Sequence, residues 1–163
     1  MGRMGRFDVD GLKEFKKELE RLDKNTNAFL ESCAKELAAR LLRMVMKRTP
    51  VGDYPKGAGK KGGTLRRGWT SQSSGSGSEG LKTNGVSQYV DTLKVHHFGD
   101  TYVVEIVNPV NYASYVEYGH RTRDHKRWVR GHFMMTISER ELENIAPRVL
   151  ENKIKKFLGG CLG

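Results

Sequence analysis

The stretch "NAFLESCAKELAARLLRMVMKRT", residues 27–49, limits the fold more than any other part of the chain. Leu30, Cys33, Leu37, Leu41 and Met44 fall on one helical line, with Ala34, Ala38, Leu42 and Val45 beside it. Apolar residues at this period make an amphipathic helix, and a stripe this wide needs cover on two sides. The spacing predicts a helix over 27–48 with the core against one side. The other side faces either a preceding helix or a neighbouring subunit.

That preceding helix is expected over 8–24. Asp8 or Asp10 can cap it, and Leu12, Phe15, Leu19 and Leu22 form one narrow stripe. "DKNTN" interrupts the pattern, and Thr26 or Asn27 is placed to cap the second helix. A loop follows over 49–63, where Pro50, Pro55 and a run of glycines exclude regular structure. "TLRRGWTS" reads as a short strand. Residues 71–86, rich in Ser and Gly, have the composition of a flexible loop. "QYVDTLKVH" alternates as a strand and "TYVVEIVN" is β-branched, with Phe98-Gly99-Asp100 as the turn. An antiparallel sheet of about three strands is thus expected within 64–108. In that hairpin Asp91 and Glu105 face each other.

Beyond the sheet, a short helix is expected over 111–118, then a basic loop from His120 to about Gly131, then a final helix over 132–158. Ser138 and Glu141 fit a capping box, Pro147 predicts a kink or restart, and Gly159-Gly160 an end. The fold class is α+β: a small antiparallel sheet packed with two N-terminal helices and a C-terminal helix. The whole chain, 1–163, reads as one domain.

A hydrophobic fraction of 37% and a mean hydropathy of -0.62 are low for a compact globule. Either some of the chain is mobile or another chain completes its burial. Cys33 reads as a small buried hydrophobe, and Cys161, in "GGCLG", as exposed. Two cysteines of such different character make no disulfide framework, so a reducing compartment is the simpler setting. "MGRMGRFDVD" lacks the apolar core of a signal peptide, and no apolar run approaches the ~20 residues of a spanning helix.

Catalytic patterns are weak. "GKKGGT" lacks the spacing of a phosphate loop and no apolar strand precedes it. The histidines (His96, His97, His120, His125, His132) have no cysteine near them, and surrounding Arg and Lys residues repel a cation. Asp91, Glu105 and Glu117 read as salt-bridge partners rather than an acid/base pair. The sequence predicts no catalytic residue, cofactor or metal.

A formal net charge of +10 points to an acidic partner or a polyanion. Lys56, Lys60, Lys61, Arg66 and Arg67 form one basic segment; Arg121, Arg123, Lys126, Arg127 and Arg130 form a second around Trp128. Cations interleaved with an aromatic can hold phosphates and stack a base. No helix-turn-helix, RNA-recognition or zinc-finger pattern accompanies them. Direct DNA contact through 56–67 and 121–130 is therefore the competing reading.

Three pieces in order carry a resemblance: "KRTPVG…GGTLRRGW", "NPVNYASYVEYGHRTR", and "WVRGHFMM" opening the last helix. Together they resemble the tail-component proteins of long-tailed bacteriophages and prophages. These are neck proteins, also called tail-completion or head–tail joining proteins. Thr49, Pro50, Val51, Leu65, Arg66 and Trp69 match the first motif of that family. Tyr112, Ala113, Tyr115, Val116, Glu117, Tyr118 and Gly119 match the second, and Gly131, Phe133 and Met134 the third. The resemblance covers roughly 7–158. The chain departs from the family by about ten extra residues between Val51 and Thr64.

The resemblance implies a non-enzymatic virion protein, assembled in the bacterial cytoplasm. It implies a homohexameric ring subunit between the capsid connector and the tail. The implied partners are further copies of the chain, the connector or adaptor, and the tail terminator or tail tube; phage DNA passing through the ring is a further one. Tyrosine and arginine are enriched at interface centres. The expected interface residues are Tyr112, Tyr115, Glu117, Tyr118, Arg121, Arg123, Arg127 and Trp128, with Lys60, Lys61, Arg66 and Arg67. In this reading Glu117 meets a partner and loops 51–63 and 71–86 order on assembly.

Overall fold

The computed structural model describes the backbone of residues 10–59, 62–71 and 85–161, and side chains within 20, 24–59, 62–71 and 85–159. The apolar stripe near the N-terminus builds one long helix, α1 (Asp10–Arg48). The expected break at "DKNTN" is absent, and Thr26 and Asn27 cap nothing: the helix passes straight through them. None of these residues is Gly or Pro. Each costs a helix only a few tenths of a kcal/mol, and residues 24–28 are exposed, so their polar side chains remain hydrated. The stripe of Leu12, Phe15, Leu19 and Leu22 lies outside the described side chains.

The core gathers around the C-terminal half of α1. Leu42, Val45 and Met46 are fully buried there, with Cys33, Ala38 and Ala39 buried along the same helix. Burying each of the larger side chains contributes about 1.5–3 kcal/mol. The last helix, α5 (Met134–Cys161), packs antiparallel along α1. Arg48 donates to Ser138 Oγ at 3.3 Å and pairs with Glu141; Lys153 donates to the Ser32 carbonyl at 2.6 Å. The rings of Phe29 and Phe157 stack with centroids 4.3 Å apart. So one wide face of α1 is covered by α5 of the same chain.

Two segments expected as strands are helices. Residues 64–68 form α2 (Thr64–Gly68), entered through Gly63 at φ 90. Leu65, Gly68 and Trp69 are all buried, and their i, i+3, i+4 spacing is helical. Likewise Val86, Tyr89 and Val90 share that spacing and are buried in α3 (Val86–Thr92). Asp91 therefore lies on a helix and does not face Glu105. Of loop 71–86, residues 72–84 lie outside the described residues, Ser71 is buried, and Val86 already opens α3.

The sheet content is two separate two-stranded hairpins. β1 (Val95–Phe98) pairs antiparallel with β2 (Thr101–Val104), with Gly99 at φ 60 in the turn. The short tyrosine helix α4 (Ala113–Tyr118) follows. The basic segment expected as an irregular loop is itself a hairpin, β3 (Gly119–Arg121) against β4 (Trp128–Arg130). The class remains α+β with small antiparallel sheets.

The expected capping box does not start α5. Ser138 lies inside the helix and its hydroxyl donates back to the Met134 carbonyl at 2.6 Å. Helix α5 continues through Pro147 without interruption and past Gly159-Gly160 to Cys161. Proline removes one helical donor. Glu143 and Pro147 are both exposed, so water can satisfy the carbonyl that Pro147 cannot.

Candidate functional site

Three joints, two of them on buried side chains and one on the half-buried Asn108, hold the motif segments together. The first centres on Thr49, at the end of α1. Its hydroxyl donates to the Val45 carbonyl at 2.7 Å and accepts the Trp69 indole N–H at 2.8 Å. Arg66 Nη2 donates to the Thr49 carbonyl at 2.8 Å. The threonine is 1% exposed, so its own polar atoms need internal partners; the buried Arg66 Nε has none among the described residues.

The second joint is Asn108. Its Nδ2 donates to the Leu65 carbonyl at 2.9 Å, and its Oδ1 accepts the Val110 amide at 3.2 Å. A Cβ on Gly68 would lie 2.3 Å from Asn108 Oδ1. Only glycine lets α2 approach this closely.

The third joint is Glu117, on the inward face of α4. Its carboxylate accepts the amides of Met135 and Thr136, each at 3.0 Å, and the Thr136 hydroxyl at 2.8 Å. Those are first-turn donors of α5, which the helix cannot satisfy itself. A negative charge there also complements the helix dipole. Glu117 is 6% exposed. The interface reading expected Glu117 to meet a partner; its carboxylate instead turns inward and is occupied by the start of α5. Backbone bonds add to the joint: the His132 and Phe133 amides donate to the Val116 and Glu117 carbonyls at 2.8 and 3.0 Å.

With Glu117 anchored inward, the tyrosines face out. Tyr112, Tyr115 and Tyr118 are all exposed, Tyr118 to 64%. The hairpin beyond them is exposed on both strands, and Trp128 is 62% exposed beside Val129. Tyr115 meets His120 edge-on, with centroids 5.8 Å apart. Register divides the hairpin: His120 and Val129 share the face that meets the tyrosines, while Arg121 and Trp128 share the opposite face.

The hairpin tip is preorganised. Thr122 donates its hydroxyl to the Asp124 carboxylate and accepts the Arg127 amide at 3.1 Å; its own amide donates to the Arg127 carbonyl at 2.9 Å. The hydrogen bond from Thr122, then one from the Lys126 amide, hold the Asp124 carboxyl below its ordinary range. Among the described residues no carboxylate forms an ion pair with Arg121, Arg123, Arg127 or Arg130.

The remaining expected residues behave differently. Arg66 and Arg67 are half-buried, and Arg67 Nη1 donates to the Gly62 carbonyl at 3.3 Å. They brace the loop rather than extend the basic surface. Lys60 and Lys61 lie outside the described residues. Tyr54, which sequence reasoning missed, joins His120, Arg130 and His132 in lining a cleft of about 310 Å³ between the 50–63 loop and the tyrosines. Sequence reasoning also missed the joints at Thr49 and Asn108. Their signal was present only as motif positions.

The family described as "HK97-gp10_like: Bacteriophage HK97-gp10, putative tail-component" matches residues 13–119, well over half of the chain. The chain belongs to the HK97-gp10-like family. The match runs from α1 to the end of α4 and contains the Thr49 and Asn108 joints and Glu117 itself, whose partners lie beyond it. The β3–β4 hairpin beyond Gly119 and α5 lie outside it. No curated protein and no solved structure matches this HK97-gp10-like chain.

As a phage tail component, the HK97-gp10-like protein is a structural part of a virion and interacts with other phage structural proteins. Among the described residues no helix is long and apolar enough to cross a membrane, and no group of His, Cys, Asp and Glu is arranged to hold a metal.

Proposed function

We propose that this protein is a ring subunit of the phage neck, completing the tail and joining it to the capsid connector. Its role is structural rather than catalytic. One observation carries the reading: a frame held by internal hydrogen bonds presents to solvent three tyrosines, a tryptophan and arginines that have no carboxylate partner among the described residues. Such side chains dominate binding when buried at an interface, and a preorganised surface loses little entropy on docking. The proposed partners are further copies in a closed ring of six, with the connector or adaptor on one side and the tail terminator or tube on the other. A closed ring buries repeated surfaces without growing fibres.

The deciding experiment measures the mass of the purified protein and the copy number in assembled particles, with electron-microscope images for ring shape. A closed oligomer in either setting supports the reading. A monomer at every concentration, present once per particle, overturns it.

The same hairpin supports a second reading, contact with DNA, because its arginines have no carboxylate partner among the described residues and Trp128 is open for stacking. Salt separates the two. DNA binding through several phosphate contacts weakens steeply as salt rises, whereas an interface centred on aromatic burial does not.

A further inference from the structure

We propose that the outer face of the β1–β2 hairpin receives the β3–β4 hairpin of a second copy of this chain, head to tail. The inference rests on the neck-ring reading and names the two surfaces that meet.

Register decides what β1–β2 presents. His97 pairs with Tyr102 across the strands, and both turn toward α1. Tyr102 donates to Asn27 Oδ1 at 2.7 Å, and His97 Nε2 lies 3.6 Å from a Glu31 carboxylate oxygen. Alternation then sends His96, Phe98, Thr101 and Val103 outward. Phe98 is 67% exposed, the highest value among the large hydrophobics of the described residues, and Val103 and Val107 are exposed too. A two-stranded hairpin has little stability of its own. Here its apolar outer face has no cover within the described chain.

The charges are complementary. Asp100 and Glu105 are exposed beside Phe98 and Val103, and neither forms an ion pair among the described residues. The β3–β4 hairpin offers the reverse on the face turned away from the tyrosine cleft: Trp128 beside its register partner Arg121, with Arg123 and Arg127 exposed toward the tip, while Val129 and His120 face the cleft. An aromatic centre with a rim of opposite charges is how specific protein interfaces are built.

The two surfaces do not reach each other within one molecule. β1–β2 lies beside Asn27 and Glu31, whereas Val129 and Pro50 line one cleft beyond the other end of α1. From Glu31 to Arg48 the helix extends about 25 Å at ~1.5 Å per residue. Each copy therefore carries a donor surface at one end and an acceptor at the other. Such heterologous contacts close into a ring when the rotation between copies permits it.

Charge reversal tests the contact. One variant carries Arg121→Glu and Arg123→Glu, the other Asp100→Arg and Glu105→Arg. All four positions are exposed, so each isolated variant should melt like the wild type. Self-association by sedimentation, and the yield of joined particles, are read for each variant alone and for the two together. Each alone should associate at least about tenfold more weakly, because like charges then face each other. The mixture should recover the wild-type level, since each reversed surface now meets its complement on the other variant. A mixture no better than either variant alone overturns the contact, as does wild-type behaviour of either. A Phe98→Cys copy should also form a disulfide with a Trp128→Cys copy, in chains lacking Cys33 and Cys161; no such cross-link in assembled particles argues against it. Wild-type rings whose charge-reversed mixture fails leave the neck reading standing and remove this contact. A wild type that never associates and never enters particles removes both.

Discussion

Glu117 Oε1 accepts both the amide and the hydroxyl of Thr136, at 3.0 and 2.8 Å. This ties α4 to the first turn of α5 and determines which way α4 is rotated. The tyrosines face solvent because the glutamate one residue before Tyr118 is held inside. Motif residues that look like an interface are thus of two kinds: a buried clamp and the side chains it aims outward.

Replacing Glu117 by Ala should destabilise the fold by about 1–3 kcal/mol, since three donors lose a charged acceptor in a buried place. Glu117→Gln should lie between Ala and wild type, keeping one acceptor but losing the charge at the helix start. Tyr115→Ala and Tyr118→Ala, on the exposed face of the same turn, should change stability by less than about 0.5 kcal/mol. Urea denaturation of the four variants checks the ordering. An exposed-tyrosine variant as damaging as Glu117→Ala would reverse the assignment of faces.

The joint at Thr49 predicts non-additive substitutions. Thr49→Val keeps the volume but leaves the Trp69 indole N–H unpaired, which should cost about 1–3 kcal/mol. Once Trp69→Phe has removed that donor, Thr49→Val should cost less, although the Val45 carbonyl still loses a partner. Residues sharing a buried hydrogen bond show coupling of about 0.5 kcal/mol or more in a double-mutant cycle. Stabilities measured by chemical denaturation that simply add would mean the bond contributes nothing beyond packing.

How much was legible follows from where the determinants lie. Helical period located α1 and the last helix, but the core face is displaced from the expected line: Leu30 is exposed and Leu37, Leu41 and Met44 are half-buried, while the flanking Leu42 and Val45, with Met46, are fully buried. The α2 and α3 segments were misread because Leu65/Gly68/Trp69 and Val86/Tyr89/Val90 are single turns. Over five to seven residues, periods of 2 and 3.6 are hard to separate, and burial against α1 decides. Chain interruption at "DKNTN" was inferred from polarity, which an exposed helix tolerates. At the site, the tyrosine face and the basic segment were visible as composition. The inward turn of Glu117 was not, because its partners Met135 and Thr136 are distant in sequence.

Alkaline pH should weaken the fold through two groups. Burial pushes the Cys33 thiol and the Tyr89 phenol above their ordinary values of 9.0 and 10.0. In both cases the unfolded chain loses its proton first as pH rises. Their contribution to stability is complete below those ordinary values and declines as pH climbs through them toward the folded ones. Denaturation midpoints between about pH 8 and about pH 10.5 should fall. Cys33→Ala should flatten the earlier part of that decline and Tyr89→Phe the later part. Wild-type curves unchanged by either substitution would show that other groups control the alkaline limb.

The final prediction concerns the junction between clamp and hairpin. Gly119 sits at φ +88, and a Cβ there would lie 2.4 Å from the Val129 carbonyl oxygen. Both the backbone angle and the close strand pairing exclude a side chain. Gly119→Val should therefore separate β3 from β4 and swing the basic hairpin away from the tyrosines. The core lies elsewhere, around Leu42, Val45, Met46 and Trp69, so the rest of the fold should survive. Hydrogen exchange localises the effect: amides that pair the hairpin, such as that of Thr122, should exchange much faster, while those of α1 around Leu42 should keep their protection. Gly119→Ala should act in the same direction, because its single methyl already meets the Val129 oxygen. If exchange instead accelerated throughout α1, the hairpin would be part of the cooperative core and not a surface aimed by it. If nothing changed, the strand pairing at Gly119 would be dispensable, and the direction of the arginines would need another cause.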